Sequence, residues 1–460
     1  MTSQSAPLVS LQPPKDVSLS EIEAELGKIW TIHSATGDGG GLPVATRAAT
    51  FSLVVYEPEE TQQLLAALGF YTGPVDGIYG PRMQEALRSA QETYGLIADG
   101  NPNPQTLAKL RQELGQQHDH SATLSPEDGA APQYALDAGG AGFADAIASQ
   151  NPCRVIALCS TSGADEGVTA QLSAYCPIKK QSHSALICCE YITLKGTQSA
   201  LERVSDLIQS LLIAELPKFL WWKATPDNNQ ALFHQLASLC DCVIIDSSRF
   251  SDAANELLKV HDLIKQGLNI ADLNWRRLSA WQELTAEAFD PPERRAALKE
   301  VDRVTLDYEK GNPAQALMFL GWLASRLQWQ PVSLEAEGGD YDLQRIKFTT
   351  EDSRSVEAEL AAIPTGDQGE VAGDLIDLKL SSTNLNADCC TVLCSETKGC
   401  MRMEAGGGAQ SCRIQQVTPL SDQKAEFLLS QQLQRWSRDT LFEESLAVTT
   451  QILRLDASGS

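Results

Sequence analysis

The sequence contains no long apolar run and has few positive charges. No stretch approaches the ~18–20 apolar residues that a membrane-spanning helix needs. Residues 1–30 lack the basic and apolar regions of a secretory signal. Only 36 basic residues face 60 acidic ones, which gives a formal net charge of -24, and no Lys/Arg cluster stands out. We therefore expect a cytoplasmic protein that binds neither nucleic acid nor a membrane.

The chain also lacks the usual short catalytic motifs. It has no P-loop, no GxSxG nucleophile elbow, no HExxH zinc motif and no CxxC pair. The Gly-rich residues 37–41 precede a predicted strand, the reverse of the order in a dinucleotide site. Residues 160–167 follow a strand but lead into a segment that looks extended, which is typical of a surface loop. We predict no catalytic residues, no cofactor and no metal site; an unrecognised α/β enzyme acting on sugar phosphates is the alternative.

The remaining composition is that of a folded protein. With 43% hydrophobic and 21% charged residues over 460 positions, the chain is long enough for two or three domains. Apolar strand-like segments alternate with amphipathic helix-like segments from residue 153 to 265, which predicts an α/β domain with a mainly parallel sheet. The strands are predicted at 46–56, 153–159, 185–194, 218–222 and 242–246, and the helices at 200–215, 229–239 and 252–265.

Residues 64–114 have a pattern of their own, in which three helical stretches are separated by two Asp-Gly turns, each followed by a proline. Glycine permits the positive φ of such a turn, and proline fits the first helical position, where no N–H is needed. The spacing resembles the peptidoglycan-binding-like three-helix domain. Met83 stands where that family usually has a small hydroxyl residue, so carbohydrate binding is not expected. The turn residues are Asp76, Gly77 and Pro81, then Asp99, Gly100 and Pro104.

These patterns divide the chain into a discontinuous α/β domain with an inserted module, followed by a β-rich C-terminal domain. From Pro331 short alternating strands and Gly-rich turns dominate, and a helix closes the chain. The predicted segments are a flexible tail at 1–20, the α/β domain at 21–56 and 142–330, the three-helix module at 57–115, a linker at 116–141, and the C-terminal domain at 331–460.

The twelve cysteines fall into two groups. Seven are scattered through the α/β part and are interpreted as buried small apolar side chains: Cys153, Cys159, Cys176, Cys188, Cys189, Cys240 and Cys242. Five crowd between residues 389 and 412. A zinc site, five inert thiols and a disulfide between Cys394 and Cys400 are all compatible with that crowding. In the disulfide hypothesis, the intervening SETKG segment forms the loop of a hairpin.

Four segments carry a family resemblance: 46–56, 151–158, 217–226 and 272–290. They closely resemble the OpcA family of glucose-6-phosphate dehydrogenase assembly and activator proteins, over most of residues 20–460. The resemblance implies a protein without chemistry of its own that binds this dehydrogenase and raises its activity in the oxidative pentose phosphate pathway. A cell-wall-binding protein is the competing hypothesis, because residues 64–114 alone would suggest it.

The chain looks like the cyanobacterial branch of the family, which implies redox control through thioredoxin. Cys394 and Cys400 are the positions that match the redox switch of that branch. Cys389, Cys390 and Cys412 are secondary redox candidates. The expected partners are therefore glucose-6-phosphate dehydrogenase and thioredoxin.

Overall fold

The fold was analysed in a computed structural model. It describes residues 8–34, 45–47, 50–72, 81–101, 104–121, 153–161, 164–177, 186–227, 229–250, 252–290, 292–364, 371, 373–384, 390–396, 400–406, 414–419 and 425–457. The strands are β1 Leu8–Val17, β2 Ala45–Arg47, β3 Ser52–Glu57, β4 Arg154–Ser160, β5 Thr169–Pro177, β6 Leu186–Gly196, β7 Lys218–Trp222, β8 Cys242–Ile245, β9 Ile270–Asp272, β10 Arg303–Glu309, β11 Gln330–Gly338, β12 Leu343–Thr349, β13 Ser355–Ile363, β14 Leu375–Ser381, β15 Cys390–Glu396, β16 Cys400–Gly406 and β17 Ile414–Pro419.

Fourteen α-helices lie within the described residues. They are α1 Ile22–Ser34, α2 Glu60–Ala67, α3 Pro81–Thr93, α4 Pro104–Ser121, α5 Gln198–Arg203, α6 Ser205–Leu211, α7 Ala231–Leu239, α8 Ala253–Lys265, α9 Leu273–Arg277, α10 Ser279–Phe289, α11 Pro292–Leu298, α12 Ala314–Leu327, α13 Ala425–Gln432 and α14 Thr440–Ala457.

The first unit comprises Met1–Ile245, Leu268–Ile270 and Leu429–Ser437 and is built on a nine-stranded sheet. The strands follow the order β1-β5-β6-β4-β3-β7-β8-β9, and β2 pairs with β6. Pairing is parallel from β6 through β4, β3 and β7 to β8. The central strands are continuous apolar runs, as expected for strands that are covered on both faces. The prediction of a mainly parallel α/β sheet is confirmed.

The N-terminal residues differ from the predicted flexible tail. Leu8–Val17 form β1, which pairs antiparallel with β5 at the edge of the sheet. Two register shifts, between Ser10 and Gln12 and between Gln12 and Lys15, accompany Pro13 and Pro14. A proline cannot donate a hydrogen bond to a neighbouring strand, so within sheets it occurs in edge strands or at bulges. β1 is an edge strand with an irregular register, so it accommodates both prolines.

The three-helix module has its own small core. Leu65, Leu87, Ala90 and Leu110 are buried together there, and Met83 is buried among them. Its second turn is shaped as predicted, because Gly100 has φ +71° and a Cβ there would come within 2.8 Å of Gln84 Cγ. The first turn, with Asp76 and Gly77, lies outside the described residues.

The second unit comprises Asp246–Gly267, Ala271–Leu428 and Arg438–Ser460 and holds an eight-stranded sheet. The order is β11-β12-β13-β10-β14-β15-β16-β17; β10 pairs parallel with β13, and the other pairs are antiparallel. The predicted β-rich character and terminal helix are confirmed. The sequence pattern predicts a domain boundary after residue 330, whereas the helices from α8 to α12 group with this second unit.

Helices α12 and α14 pack closely inside the second unit. Ser445 Oγ donates to the Met318 carbonyl at 2.6 Å, and Thr449 Oγ1 donates to the Leu317 carbonyl at 3.1 Å. Gly321 makes this approach possible, because a Cβ at that position would lie 2.6 Å from the Ser445 carbonyl oxygen. The helix pair therefore depends on a residue without a side chain.

Candidate functional site

The two cysteines singled out as a redox pair lie on adjacent strands of one hairpin in the second unit. Cys394 is on β15 and Cys400 begins β16. Cys394 pairs with Arg402, and Cys400 pairs with Glu396. The connecting residues 397–399 lie outside the described part of the chain, as do Cys389 and Cys412.

The register makes Cys394 and Cys400 diagonal neighbours. Residues two apart on a strand share a face, and directly paired residues share a face, so the two cysteines and Cys390 all belong to one face of the hairpin. Diagonal neighbours are typically ~7–8 Å apart. A disulfide requires Cα atoms ~4.4–6.8 Å apart. Joining the two sulfur atoms would therefore shift the end of the hairpin by about an ångström or more.

An acidic row leads across the sheet to Cys394. Asp307 of β10 pairs with Asp377 of β14, and Asp377 pairs with Cys394. Both aspartates are half-buried, on the face opposite the buried Leu306 and Leu378. Burial, followed by the charges of Asp377 and Glu359, raises the pKa of Asp307.

A second cluster of charged and polar side chains, which the sequence pattern does not predict, is buried at the start of the second unit. Arg277, at the end of α9, donates from Nη1 and Nη2 to the two carboxylate oxygens of Asp246, at 2.7 and 2.9 Å. Asp272 accepts from Ser247 N at 3.0 Å and from Ser247 Oγ at 2.6 Å, and it caps α9 through Asn274 N at 2.9 Å. Three of these residues belong to segment 272–290, which carries the family resemblance.

The same cluster extends to α12 and to the loop before β14. Gln315 Nε2 donates to Asn274 Oδ1 at 2.9 Å and to Asp374 Oδ1 at 2.5 Å. Asn312 Nδ2 donates to the carbonyl oxygens of Ser247 and Ser248 at 2.9 and 3.0 Å. These contacts join the helices of the second unit to its sheet.

Burial and neighbouring charges shift the pKa values of Asp272 and Asp246 in opposite directions. Burial, then the neighbouring Asp246, raises the pKa of Asp272 to about 6. For Asp246 burial acts in the same direction, but Arg277 outweighs it and the pKa is lowered. Such a pair can mark acid–base chemistry. Here the carboxylate of Asp246 accepts hydrogen bonds from Arg277, and that of Asp272 accepts them from backbone and hydroxyl donors of the cluster itself. Such an arrangement is typical of a structural network.

In the loop after β4, the described residue Asp165 bonds to Gly167 and to Arg203. Asp165 Oδ1 accepts from Gly167 N at 3.0 Å, and Asp165 forms an ion pair with Arg203 at 2.7 Å. The next element is β5, so the prediction that this segment is extended is confirmed. Residues 37–41, the other Gly-rich segment, lie outside the described residues.

The paired tryptophans that end β7 are both buried. Trp222 stacks on Tyr56 with ring centroids 3.9 Å apart, and Trp221 is 2% exposed. Both side chains therefore pack inside the first unit rather than forming an exposed surface.

Among the cysteines of the first unit, five are free thiols: Cys153, Cys159, Cys189, Cys240 and Cys242. Burial raises the pKa of Cys159 to about 11 and that of Cys240 to about 12, so neither thiol ionises readily near neutral pH. Cys188 is buried as predicted, but it is in a disulfide rather than a free thiol. Within the described ranges, no group of three or more His, Cys, Asp or Glu residues is arranged to hold a metal ion. The same ranges contain no helix that is both long and apolar enough to cross a membrane.

Comparison with known proteins accounts for nearly the whole chain. Residues 144–262 match the family described as the glucose-6-phosphate dehydrogenase subunit N-terminal domain, and residues 268–446 match the corresponding C-terminal domain. The chain is 60% identical to the OxPP cycle protein OpcA of Nostoc punctiforme, over 99% of this chain and 97% of that protein. The chain belongs to the OpcA family. The OpcA protein of Synechocystis is 54% identical, over 100% of this chain and 96% of its own length.

The inserted module matches a different family. Residues 56–110 match the peptidoglycan binding domain, as the turn spacing predicts. A segment of 49 residues is 53% identical to the N-acetylmuramoyl-L-alanine amidase CwlM of Mycobacterium tuberculosis, which is 11% of this chain and 12% of that protein. The chain thus contains this module in addition to its two OpcA family domains.

Proposed function

We propose that this chain binds glucose-6-phosphate dehydrogenase in the cytoplasm and activates it allosterically, without catalysing a reaction itself. The observation that carries the proposal is the match of residues 144–262 and 268–446 to two domains described as parts of a glucose-6-phosphate dehydrogenase subunit. Relatives that share 54–60% identity along nearly their full length are named for the OxPP cycle. The strong negative charge favours a protein partner over a nucleic acid.

The buried polar cluster supports a non-enzymatic role. Its guanidinium and carboxylate groups are held by one another: Arg277 forms the fork to Asp246, and Gln315 bridges Asn274 and Asp374. A catalytic acid or base must reach a substrate atom within hydrogen-bond distance. Groups committed to such internal contacts stabilise the fold instead.

We further propose that a reversible disulfide between Cys394 and Cys400 tunes the activation. Their diagonal places on one hairpin support this idea, because forming the bond would alter the hairpin end, so the oxidised and reduced states would differ in shape. Closing so short a loop corresponds to about 2.4 kcal/mol of chain entropy, or roughly a fifty-fold shift between two conformations. That magnitude suits a regulator and is too small to hold a domain together.

Thioredoxin is the proposed reductant, and the oxidised form is the proposed better activator. A dithiol of thioredoxin would pass two electrons to the disulfide, which yields two thiols here and a disulfide in thioredoxin. Helix α10, part of the segment that carries the family resemblance, contacts both hairpin strands and is the proposed route to the rest of the unit.

The decisive experiment measures the kinetics of purified glucose-6-phosphate dehydrogenase with this protein in near-stoichiometric amounts. The expected result is a higher rate or a lower KM for the dehydrogenase, a severalfold difference between oxidised and thioredoxin-reduced protein, and no turnover by this chain alone. Replacing Cys394 and Cys400 with Ser should abolish the redox response but keep the basal activation. The matched control is Cys240→Ser, which should change neither. Unchanged dehydrogenase kinetics at every protein concentration and redox state would refute the proposal.

The match of residues 56–110 favours one competing function, binding to the cell wall. Met83, which replaces the usual small hydroxyl residue, is buried in the module core and so is unavailable to a glycan. A sedimentation assay with purified peptidoglycan decides between the two, and we expect the protein to stay in the supernatant.

A further inference from the structure

Cys188 lies in the middle of the first sheet. It is fully buried, on β6, two residues before Glu190. On one side of this part of β6 lies β2, where Arg47 pairs with Cys188. On the other side lies β5, where Tyr175 pairs antiparallel with Cys189. Extending that register by one residue brings the backbone of Cys176 opposite Cys188.

The disulfide of Cys188 needs a partner, and few cysteines qualify. The thiols of Cys153, Cys159, Cys189, Cys240 and Cys242 are free. Of the cysteines on the other described strands, Cys176 lies on a strand paired with β6, whereas Cys390, Cys394 and Cys400 lie on strands of the other sheet. Directly opposite residues of an antiparallel pair have Cα atoms ~4.5–5.5 Å apart, which is within the range of a disulfide.

The N-terminal segment covers this position. Leu11 of β1 and Trp30 of α1 pack against Cys188. β1 also pairs with β5 at Cys176, which lies opposite Val9. A reductant must bring its thiolate up to one sulfur of the bond, and such an approach is blocked while these residues stay in place.

We call β1 and α1 together the cover of Cys188. Contacts of α1 with β6 and β4 hold this cover in place. Trp30 Nε1 donates to Glu190 Oε1 at 2.5 Å, and Arg154 joins Glu190 at 2.8 Å and Glu23 of α1 at 2.8 Å. The carboxylate of Glu190 thus ties α1 to the strand that bears Cys188. Detaching this segment would break these contacts, so exposure of the disulfide is linked to local unfolding of the N-terminus.

We propose that Cys188 is bonded to Cys176 across the β5–β6 pair, and that this bridge is a redox site whose reduction is gated by β1 and α1. A dithiol reductant attacks one sulfur and releases the other cysteine, which takes up a proton. The second thiol of the reductant then displaces the remaining cysteine. Two electrons and two protons reach the bridge, two cysteine thiols result, and the reductant becomes a disulfide.

The first test identifies the bond. Trypsin cleaves after Lys179 and Lys180, between the two cysteines. After free thiols are blocked in denaturant without reductant, the digest should contain a linked peptide pair that fragmentation assigns to Cys176 and Cys188 and that dithiothreitol separates. The same pair should appear in the variant with Cys394 and Cys400 replaced by Ser. Blocking of Cys188 as a free thiol, or its linkage to another cysteine, would overturn the assignment.

The second test measures the gate. Full-length protein is treated with dithiothreitol, and the rate at which Cys188 becomes open to alkylation is followed. Trp30→Ala should raise this rate at least tenfold over the natural protein. The matched control is Trp436→Ala, at a tryptophan that is 57% exposed in the same unit, and it should leave the rate unchanged. Leu11→Ala is a second cover variant that keeps the Trp30–Glu190 hydrogen bond, and it should also raise the rate. Circular dichroism would reveal a folding defect in either variant. Equal rates in the natural protein and both cover variants would overturn the gate.

Discussion

Arg277 and Asp246 form a two-pronged ion pair that is almost completely buried, with the Arg277 side chain 2% exposed and that of Asp246 6% exposed. Removing one partner of such a pair leaves the other charge buried without compensation. Arg277→Met should therefore lower the free energy of unfolding by about 3–5 kcal/mol, measured by urea denaturation.

The matched control is Arg345→Met. Arg345 pairs with Glu337 and Glu359 at the surface, with its side chain 37% exposed. Surface pairs contribute about 0–1 kcal/mol, so this change should be nearly silent. A similar loss in both variants would contradict the structural role of the buried pair.

Gly321 offers a test of the packing between α12 and α14. Gly321→Ala would bring a methyl group against Ser445 and Thr449. Overpacking of this kind costs about 1–3 kcal/mol. Gly27→Ala in α1 meets no atom within 4 Å and should stabilise the protein by about 0.5–1 kcal/mol, because alanine favours helix more than glycine does. Thermal unfolding of the two variants should therefore shift in opposite directions.

The three-helix module should be separable. Deleting residues 61–114 and joining the ends with a short flexible linker should leave the remaining protein folded, because the module buries its own core. The linker itself matters little, since each doubling of loop length costs only about 0.6 kcal/mol. Soluble expression and circular dichroism check this expectation. An insoluble product would show that the module is needed for folding.

The stability of the second unit should fall in mild acid because of His261. This side chain lies against Thr450, with Nδ1 3.3 Å from Oγ1, and burial, then Lys265 and Arg454, lowers its pKa. The unfolded chain, with its ordinary histidine pKa of 6.5, therefore binds the proton first as pH falls. Stability from this group is present above pH 6.5 and is lost below it, by up to about 1.4 kcal/mol per pH unit.

Urea denaturation at pH 7.5 and 5.5 measures that loss. His261→Gln should reduce the difference in unfolding free energy between the two pH values. The exposed His234→Gln serves as the control and should preserve the difference. If His261→Gln unfolds with the same pH dependence as the natural protein, another group is responsible.

Much of the first sheet was predictable because its central strands are apolar runs. KFLWW and CVII have no other reasonable interpretation, and both are strands. β1 was missed because Pro13 and Pro14 argue against a strand, and only an edge position with irregular register accommodates them. β10 was missed although its alternating burial is typical of a strand, because helices surround it on both sides in sequence.

The candidate sites were predictable to a smaller degree. The crowding of cysteines pointed to the hairpin, but spacing alone does not reveal that Cys394 and Cys400 are diagonal rather than opposite. The cluster around Asp272 joins residues that are far apart in sequence and match no known motif. The disulfide of Cys188 depends on the pairing of β5 with β6, which apolar periodicity does not specify.

The place of β3 in the sheet has a consequence for synthesis on the ribosome. β3 pairs with β4 and β7, yet the whole three-helix module and the residues up to Cys153 are translated before either partner. The module can complete its local contacts while β3, with Leu53, Val54 and Val55, has not yet paired with β4 or β7. Long-range pairing of this kind is slow, and unpaired apolar strands aggregate. Nascent chains of this protein should therefore depend on chaperones until β7 has left the exit tunnel.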